Sequence, residues 1–375
     1  MEASDLVSRL QSLGLQHKSA VSLEKTEPHY VLDMAAQHKG GEDSKLAVTS
    51  SNYTVRLFSR FSLAQTQTLT GHTDVISGIH FLHSDPELLV TSSHDKTVRV
   101  WDCRASSTKE VQLFKGESNT NCSFLSCDVN ASDRVICAGT EKTSADTYLL
   151  FWDRRKAAVL GCYEDSHDDD VTEVRFHPTT EKSLLSGSTD GLVNVFDVMQ
   201  TSEDDALMST YNTESSVEKA GWCGPDARYV YCITHMRTWH VWDTDGDEDI
   251  QQITDVEGKL ESLCKVDYLV DCIPAATPSN LYLLVAGTHS GDLHFLDLSD
   301  SEDPKVVSSL KGGHSDTVRC LHWDRETETL VTGGEDSLLC LWSPNAAHGK
   351  EVSQQQRKVK PKKVTPTKRT KPYTR

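Results

Sequence analysis

Residues 89 to 104 read L-V-T-S-S-H-D-K-T-V-R-V-W-D-C-R. An apolar pair leads into small residues, a polar turn follows, and an alternating segment then ends on an aromatic residue and an acid. Alternation of apolar and polar residues over such a length is typical of a half-buried strand. A polar turn between two segments of this kind predicts a hairpin. The stretch therefore predicts two adjacent strands joined by a turn centred near Lys96.

The same pattern recurs along the chain, so it must be interpreted as a repeat. The clearest further copies end at Asp197 and Ser343, and weaker copies end at Ser59, Asp153, Asp243 and Asp297. The residues at the aromatic position are Phe58, Trp101, Trp152, Phe196, Trp242, Leu296 and Trp342, with successive separations of 43, 51, 44, 46, 54 and 46 residues. Seven copies in phase predict seven structural units of similar size.

Three copies carry a further mark upstream of the aromatic position. In Gly71-His72 and Ser166-His167 the histidine lies 29 residues before the aromatic position, and in Gly313-His314 it lies 28 residues before that position. On these dipeptides and the Trp-Asp endings, the chain resembles the WD-repeat β-propeller family from about residue 19 to residue 343. The resemblance implies an all-β fold of seven blades with four strands each. It also implies that an N-terminal segment supplies the outer strand of the last blade, and S-A-V-S-L-E-K, residues 19 to 25, is the candidate.

This interpretation divides the chain into an N-terminal extension, residues 1–18, a seven-bladed propeller, residues 19–343, and a tail, residues 344–375. Leu6, Leu10 and Leu13 have helical spacing and predict a short helix within residues 4–15. That helix either docks on the propeller or binds a partner, and docking is favoured because a free helix of this length is only marginally stable. The tail is rich in charge and proline with almost nothing to bury, so we expect it to be disordered.

Charge is divided unevenly between the body and the tail. Residues 350–375 hold ten Lys or Arg and one Glu, a net charge of +9, so residues 1–349 carry −27 of the total of −18. An acidic body repels nucleic acid, so direct nucleic-acid binding could rest only on the tail. The tail predicts a nuclear localisation signal for an import receptor or a tether to an anionic partner, with a merely solvated tail as the alternative.

Other sequence features predict an intracellular protein, nuclear or cytoplasmic or both. No apolar run approaches the roughly 18 residues of a membrane helix, and the start, M-E-A-S-D-L, lacks the basic region of a signal peptide. The eleven cysteines are scattered without a C-x-x-C pair, which favours buried reduced thiols. We expect a monomer that has no contact with membranes.

The run S-H-D-D-D-V-T-E-V-R-F-H-P, residues 166–178, contains the residue types of a metal site. The repeat pattern predicts that a strand of about six residues separates His167 from His177. At ~3.3 Å per residue the two histidines would lie roughly 20 Å apart, too far for one ion. The sequence therefore predicts no metal and no cofactor.

Three repeats place a histidine, a hydroxyl and an aspartate in matching phase, which are the residue types of a hydrolase triad. The sets are His72, Thr91 and Asp95; His167, Ser186 and Asp190; and His314, Thr332 and Asp336. In the WD-repeat family such residues form a structural tetrad with the terminal tryptophan, here Trp101 and Trp342. If the turn centres near Lys96, Thr91 pairs across the hairpin with Trp101. Three equivalent sets favour support of the fold over catalysis, so we expect no enzyme, with a hydrolase using one set as the alternative.

Some repeats depart from this pattern. The side chain of Phe196 has no N–H group to donate, so the second tetrad should be weaker. Ala138 and Ala286 occupy the hydroxyl position of two other repeats, which must rely on apolar packing.

Two successive repeats end in W-D-x-R, at Trp101–Arg104 and Trp152–Arg155. This ending resembles the DxR box of WD-repeat substrate receptors of cullin-4 ubiquitin ligases, in which the arginines contact the damaged-DNA-binding adaptor subunit. Residues 89–104 satisfy every position of that box, whereas the second copy keeps only its end because residues 141–147 insert extra turn residues. The alternative is that Arg104 and Arg155 only form solvated ion pairs with Asp102 and Asp153.

These observations predict a non-catalytic protein–protein interaction scaffold. The first hypothesis for this scaffold is a cullin-4 substrate receptor that uses Asp102, Arg104, Asp153 and Arg155. The second is a nuclear assembly scaffold that uses its acidic rim and basic tail without a ligase.

Overall fold

Seven four-stranded antiparallel sheets form a seven-bladed β-propeller in the computed structural model. The structure describes residues 3–344, apart from 22–27, 38–40, 42, 106–107, 118–119, 145, 247, 278–279 and 301. The tail from residue 345 onward, for which the sequence predicts disorder, lies outside the described residues. The all-β, seven-bladed prediction is confirmed.

A helix, α1 (Ala3–Gln11), and a strand, β1 (Gly14–Ala20), precede the first blade. The strands of blades one to three are β2 (Val31–Ala36), β3 (Lys45–Ser50), β4 (Thr54–Ser59) and β5 (Gln65–Leu69); β6 (Ile76–Phe81), β7 (Leu88–Ser93), β8 (Thr97–Asp102) and β9 (Gln112–Phe114); and β10 (Phe124–Val129), β11 (Val135–Thr140), β12 (Leu149–Asp153) and β13 (Ala158–Tyr163).

Blades four to seven continue the same order. Their strands are β14 (Glu173–Phe176), β15 (Ser183–Gly187), β16 (Leu192–Asp197) and β17 (Leu207–Asn212); β18 (Val217–Cys223), β19 (Tyr229–Thr234), β20 (Trp239–Asp243) and β21 (Glu248–Ile253); β22 (Tyr268–Thr277), β23 (Asn280–Gly287), β24 (Leu293–Asp297) and β25 (Lys305–Leu310); and β26 (Val318–Asp324), β27 (Thr329–Gly334) and β28 (Leu338–Ser343). Two short helices, α2 (Glu203–Ala206) and α3 (Val256–Leu260), lie between blade strands.

Each blade is an up-and-down sheet whose first strand lies innermost. The first strands of neighbouring blades contact each other, and β18 meets β22 through Lys219 and Asp271. This order defines two faces of the ring. The upper face holds the starts of the inner strands and the turns between second and third strands. The lower face holds the turns between first and second strands and the ends of the third strands.

The ring closes through β1, which pairs antiparallel with β28 as the outer strand of blade seven. Closure from the N-terminal segment therefore occurs, but the strand spans Gly14–Ala20 rather than residues 19–25, of which 22–25 lie outside the described residues. Leu15 lies opposite Trp342 in this pairing. The strand begins earlier than the sequence predicts because α1 ends at Gln11 and the chain enters the sheet almost at once. Residues 14–18 thus belong to the propeller and not to an extension.

The N-terminal helix docks on the propeller and is shorter than the predicted window of residues 4–15. Leu6 and Leu10 are buried and share a core with Leu293, Phe295 and Trp342, and the partly buried Leu13 packs against them. Ser308 Oγ donates to the Leu10 carbonyl at 3.0 Å. The leucine spacing thus marks the face that packs against blades six and seven.

Apolar side chains pack between adjacent blades and form the core. All seven residues at the aromatic position of the repeat are buried, with at most 4% exposure. Among the described residues, no helix has the length and apolar character to cross a membrane.

Candidate functional site

The predicted histidine, hydroxyl and aspartate of blade two meet at the upper face as a hydrogen-bonded chain. The indole Nε1 of Trp101 donates to Thr91 Oγ1 at 2.9 Å. His72 Nε2 lies 2.8 Å from the same hydroxyl, and His72 Nδ1 lies 2.8 Å from Asp95 Oδ2. The chain ties the third strand to the second strand and to the loop that enters the blade.

The register of this hairpin differs from the prediction. Thr91 lies opposite Arg99, and Trp101 lies opposite Leu89, so the hairpin centres on Asp95 and not on Lys96. Lys96 has a φ of 66°, a left-handed conformation that closes the turn. The indole therefore reaches Thr91 diagonally, across two positions of the ladder, which a side chain as long as tryptophan can span.

Blades four and seven repeat the arrangement. His167 Nε2 lies 2.6 Å from Ser186 Oγ and its Nδ1 lies 3.0 Å from Asp190 Oδ2. In blade seven, His314, Thr332 and Asp336 are joined at 2.8 and 3.0 Å, and Trp342 Nε1 donates to Thr332 Oγ1 at 3.0 Å.

Blade four has no indole to donate, because Phe196 stands at the aromatic position. Asn194 lies between the same elements and donates from Nδ2 to the Ser166 carbonyl at 2.7 Å. An amide on the third strand thus ties that strand to the loop that carries His167.

The tetrad carboxylates are held in their charged form. Burial raises the pKa of Asp95, but hydrogen bonds from His72, Thr97 and the backbone of Thr73 outweigh it, and the net pKa lies below its ordinary value. The pKa of Asp190 and the pKa of Asp336 are lowered in the same way, against the effect of burial, by His167 and His314. The charge is stabilised by neighbours that belong to the fold itself.

This geometry gives a substrate no access to the nucleophile that a hydrolase would need. The hydroxyl-bearing residues Thr91, Ser186 and Thr332 each have 0% exposure. A nucleophile must approach its substrate to about van der Waals distance. The three sets therefore act as supports between strands.

The two repeats with an alanine at the hydroxyl position have apolar packing in place of the tetrad. Ala138 and Ala286 are completely buried in the cores beside their blades. In blade three the indole of Trp152 donates instead to the backbone carbonyl of Lys115, at 3.2 Å.

The acidic run beside His167 forms the loop that enters blade four. Asp168 donates its backbone N–H to Asp190 at 3.0 Å, and Asp170 accepts a bond from the N–H of Lys142 at 2.7 Å. His177 lies past the other end of β14 and packs edge-on against Trp222. Among the described residues, no group of three or more His, Cys, Asp or Glu side chains could hold a metal ion.

The first W-D-x-R ending forms a clamp at the lower face. The backbone N–H and Nε of Arg104 both donate to Asp102 Oδ1 at 2.9 Å, and Nη2 donates to Asp102 Oδ2 at 2.9 Å. The hydrogen bonds of Arg104 lower the pKa of Asp102. The arginine side chain remains 56% exposed, and no bond to its Nη1 occurs within the described part of the chain.

The second ending forms the same clamp one blade further on. The backbone N–H of Arg155 donates to Asp153 Oδ1 at 2.9 Å, and the side chain donates from Nε at 3.3 Å and from Nη2 at 3.2 Å. Its side chain is 59% exposed. The described residues of the insertion in blade three, 141–144 and 146–147, lie at the upper face, so they leave this lower-face geometry intact.

A third clamp escaped the sequence interpretation. Arg228, in the turn between the first and second strands of blade five, donates from Nε to Asp243 Oδ1 at 2.8 Å and from Nη2 to Asp243 Oδ2. The two residues are 15 positions apart, so no local motif signals the pair. The aspartate, at the Trp-Asp ending of blade five, was the only available indication.

Comparison with known proteins matches three segments of the chain, residues 63–102, 160–197 and 304–343, to the family described as "WD domain, G-beta repeat". Each segment ends at the last residue of a repeat that carries one of the three histidine, hydroxyl and aspartate sets. WD repeat-containing protein GTS1 of Arabidopsis thaliana is 30% identical over 315 residues, which cover 79% of this chain and 77% of that protein. WD repeat-containing protein 89 homolog of Dictyostelium discoideum is 29% identical over 319 residues, with 84% and 83% covered. A guanine nucleotide-binding protein subunit beta of Oryza sativa subsp. japonica is 23% identical over 278 residues, with 73% and 58% covered.

Proposed function

The chain belongs to the WD-repeat family, whose propellers support protein interactions, and we propose that it is a substrate receptor of a cullin-4 ubiquitin ligase. The proposal assigns Asp102, Arg104, Asp153 and Arg155 to contacts with the adaptor subunit of the ligase. One observation carries it: two adjacent blades present the same aspartate–arginine clamp at the lower face.

The clamp prepares its arginine for binding a partner. The aspartate holds the guanidinium in one orientation before a partner arrives, so less side-chain entropy is lost on association. The fork keeps donors on its exposed side that can contact carboxylate or carbonyl groups. Arginine is among the residue types enriched at the positions that dominate binding energy.

The test is a quantitative pull-down of the adaptor with the double variant Arg104→Ala/Arg155→Ala. We expect adaptor recovery to fall by at least about tenfold, the size expected for the loss of two dominant arginines. Thermal unfolding should stay close to that of the unchanged protein, because the two arginines are exposed and the backbone N–H groups of residues 104 and 155 can still bond to Asp102 and Asp153.

The matched control is Arg228→Ala, which removes an arginine clamp from the same face at blade five. It should retain the adaptor. Equal recovery with the double variant and the unchanged protein, or equal loss with Arg228→Ala, would rule out the assigned contact.

A further inference from the structure

A cavity of about 340 Å³ lies on the propeller axis, because residues from all seven inner strands or the loops that lead into them line it. Most of its lining residues lie in the first halves of these strands or just before them, which places the cavity toward the upper face. Leu32, Ser77, Thr172 and Glu218 in the lining are partly exposed, so the cavity is accessible from solvent. Its volume is at the low end of the ~300–1,000 Å³ typical of ligand pockets, which suits a single side chain.

Charged residues of the inner strands surround this cavity. We call Asp33, Asp128, Glu173, Arg175, Lys219 and Asp271 the channel cluster; all but Asp128, which lies near Arg175, line the cavity. It holds four carboxylates against two cations. Glu218 and Arg319 also line the cavity, but the charge of Arg319 is used by Glu335, whose Oε1 accepts from Nε at 2.7 Å.

The two cations of the channel cluster are already engaged. Arg175 Nη2 lies 3.0 Å from Glu173 Oε1, and Nη1 lies 2.7 Å from His80 Nε2. Lys219 Nζ lies 3.3 Å from Asp271 Oδ2, and Tyr231 Oη donates to Asp271 Oδ1 at 3.0 Å. Asp128 accepts bonds from the N–H groups of Val129 and Phe176.

Asp33 makes no direct ion pair within the described part of the chain, although Lys219 and Arg175 lie near enough to act on its charge. Its carboxylate accepts one hydrogen bond, from the N–H of Met34 at 2.7 Å, and no Lys, Arg or His of the described residues forms an ion pair with it. Glu173 is only 7% exposed, and its Oε2 has no donor in the same part of the chain. Two oxygen sites that can accept from a cation thus border one cavity.

The excess of carboxylates over cations in the channel cluster costs free energy, because buried charges of one sign lack partners. Burial raises the pKa of Asp33, of Asp128 and, to about 7, of Glu173. Buried charges are ordinarily paired, and an unpaired carboxylate near neutral pH either takes up a proton or binds a cation. No set of three metal-ligating side chains is present among the residues described, which favours an organic cation.

We propose that the cavity binds one lysine or arginine side chain of a partner protein, whose cationic group lies against Asp33 and Glu173. The inference rests on the scaffold role of the family and not on the arginine clamps, which lie on the opposite face. An ammonium or guanidinium group supplies several N–H donors to carboxylates that otherwise lack them. The position on the axis admits an extended partner segment that presents one side chain downward.

Isothermal titration calorimetry of the full chain with three capped tripeptides tests the proposal. The peptides are Gly-Arg-Gly, Gly-Lys-Gly and Gly-citrulline-Gly, in which citrulline has the shape of arginine without its charge. We expect the two cationic peptides to bind at least about tenfold more tightly than the citrulline peptide, as for hydrogen bonds between charged groups. Asp33→Asn/Glu173→Gln should weaken their binding by about the same factor.

The matched control is Asp300→Asn/Glu302→Gln, which removes the same two charges from an exposed lower-face turn. It should leave peptide binding unchanged. Equal binding of the citrulline peptide, no saturable binding of the cationic peptides at millimolar concentration, or an equal loss in the control would overturn the proposal. The variant Asp33→Asn/Glu173→Gln should recover the ligase adaptor as well as the unchanged protein does. The cavity proposal and the ligase proposal can therefore fail independently.

Discussion

At the residue scale, the tetrad aspartates show how a catalytic residue pattern can serve the fold instead. The side chain of Asp95 is only 4% exposed, and it accepts bonds from His72 and from the N–H of Thr73 and of Thr97. Each bond favours the ionised carboxylate, so the pKa lies below that of an unfolded chain. A group of this kind stabilises the folded state above its unfolded pKa and loses that effect as the pH falls.

We therefore predict that Asp95→Asn lowers the free energy of unfolding by about 1.5–3 kcal/mol at pH 7, the range for hydrogen bonds to a charged group. The difference from the unchanged protein should shrink as the pH falls below about 4, where the unfolded carboxyl protonates. Urea unfolding at pH 7 and at about pH 3 measures both, since the effect is lost only below the unfolded pKa of roughly 4.

The control for this variant is Asp74→Asn, an exposed aspartate in the same loop whose side chain caps only the N–H of Val75. Asp74→Asn should lower the free energy of unfolding much less than Asp95→Asn does at pH 7. A cost for Asp95→Asn that equals the control, or that grows as the pH falls from about 4 to about 3, would contradict the assignment.

At the scale of elements, periodicity and pairing contain different information. The four-residue spacing of Leu6 and Leu10, close to the 3.6-residue period of a helix, correctly indicates a helix with one apolar face. An amphipathic segment already defines which side must be buried. The identity of the covering surface, next to Phe295 and Trp342, depends on ring closure. The hairpin register likewise depends on turn geometry, which is why the centre lies one residue from the predicted one.

Leu10→Ala should lower the free energy of unfolding by about 2–4 kcal/mol, because it removes a fully buried side chain and leaves a cavity. Ser8→Ala, on the exposed side of the same helix, is the control and should have little effect. Chemical denaturation of both variants decides the matter: similar unfolding midpoints would mean that the helix does not contribute to the propeller core.

At the scale of the whole molecule, the axis gathers groups that are far apart in sequence. Glu173 is surrounded there by Arg175, Lys219, Asp271 and Asp33. Burial outweighs the two cations, and the pKa of Glu173 rises from its ordinary 4.5 to about 7. The folded state therefore holds this proton more tightly than the unfolded chain, and its stability falls as the pH rises from about 4.5 to 7.

The variant Glu173→Gln should remove this loss. Between pH 5 and pH 8 the free energy of unfolding of the unchanged protein should fall by about 2–3 kcal/mol relative to the variant, from a pKa change of that size. Ser77→Ala, a neutral change at the same cavity, should keep the pH dependence of the unchanged protein. Parallel pH profiles for Glu173→Gln and the unchanged protein would show that this carboxyl does not titrate as its position requires.

The sequence by itself determined the class of fold, the number of blades, the members of the three tetrads and the basic tail. These features follow from local alternation, from a repeat period and from composition, all of which can be read along the chain. The aspartate–arginine clamps of blades two and three are also local, since the paired residues are two positions apart.

Only the tertiary structure decided the closing strand, the third clamp between Arg228 and Asp243, and the channel cluster. Each joins residues whose distance in space is set by the closed ring and not by sequence separation. A charged residue within a strand, such as Asp33 or Glu173, looks like an ordinary exposed position in the sequence. Closure of seven inner strands around one axis is what buries these charges together and gives them a shared electrostatic environment.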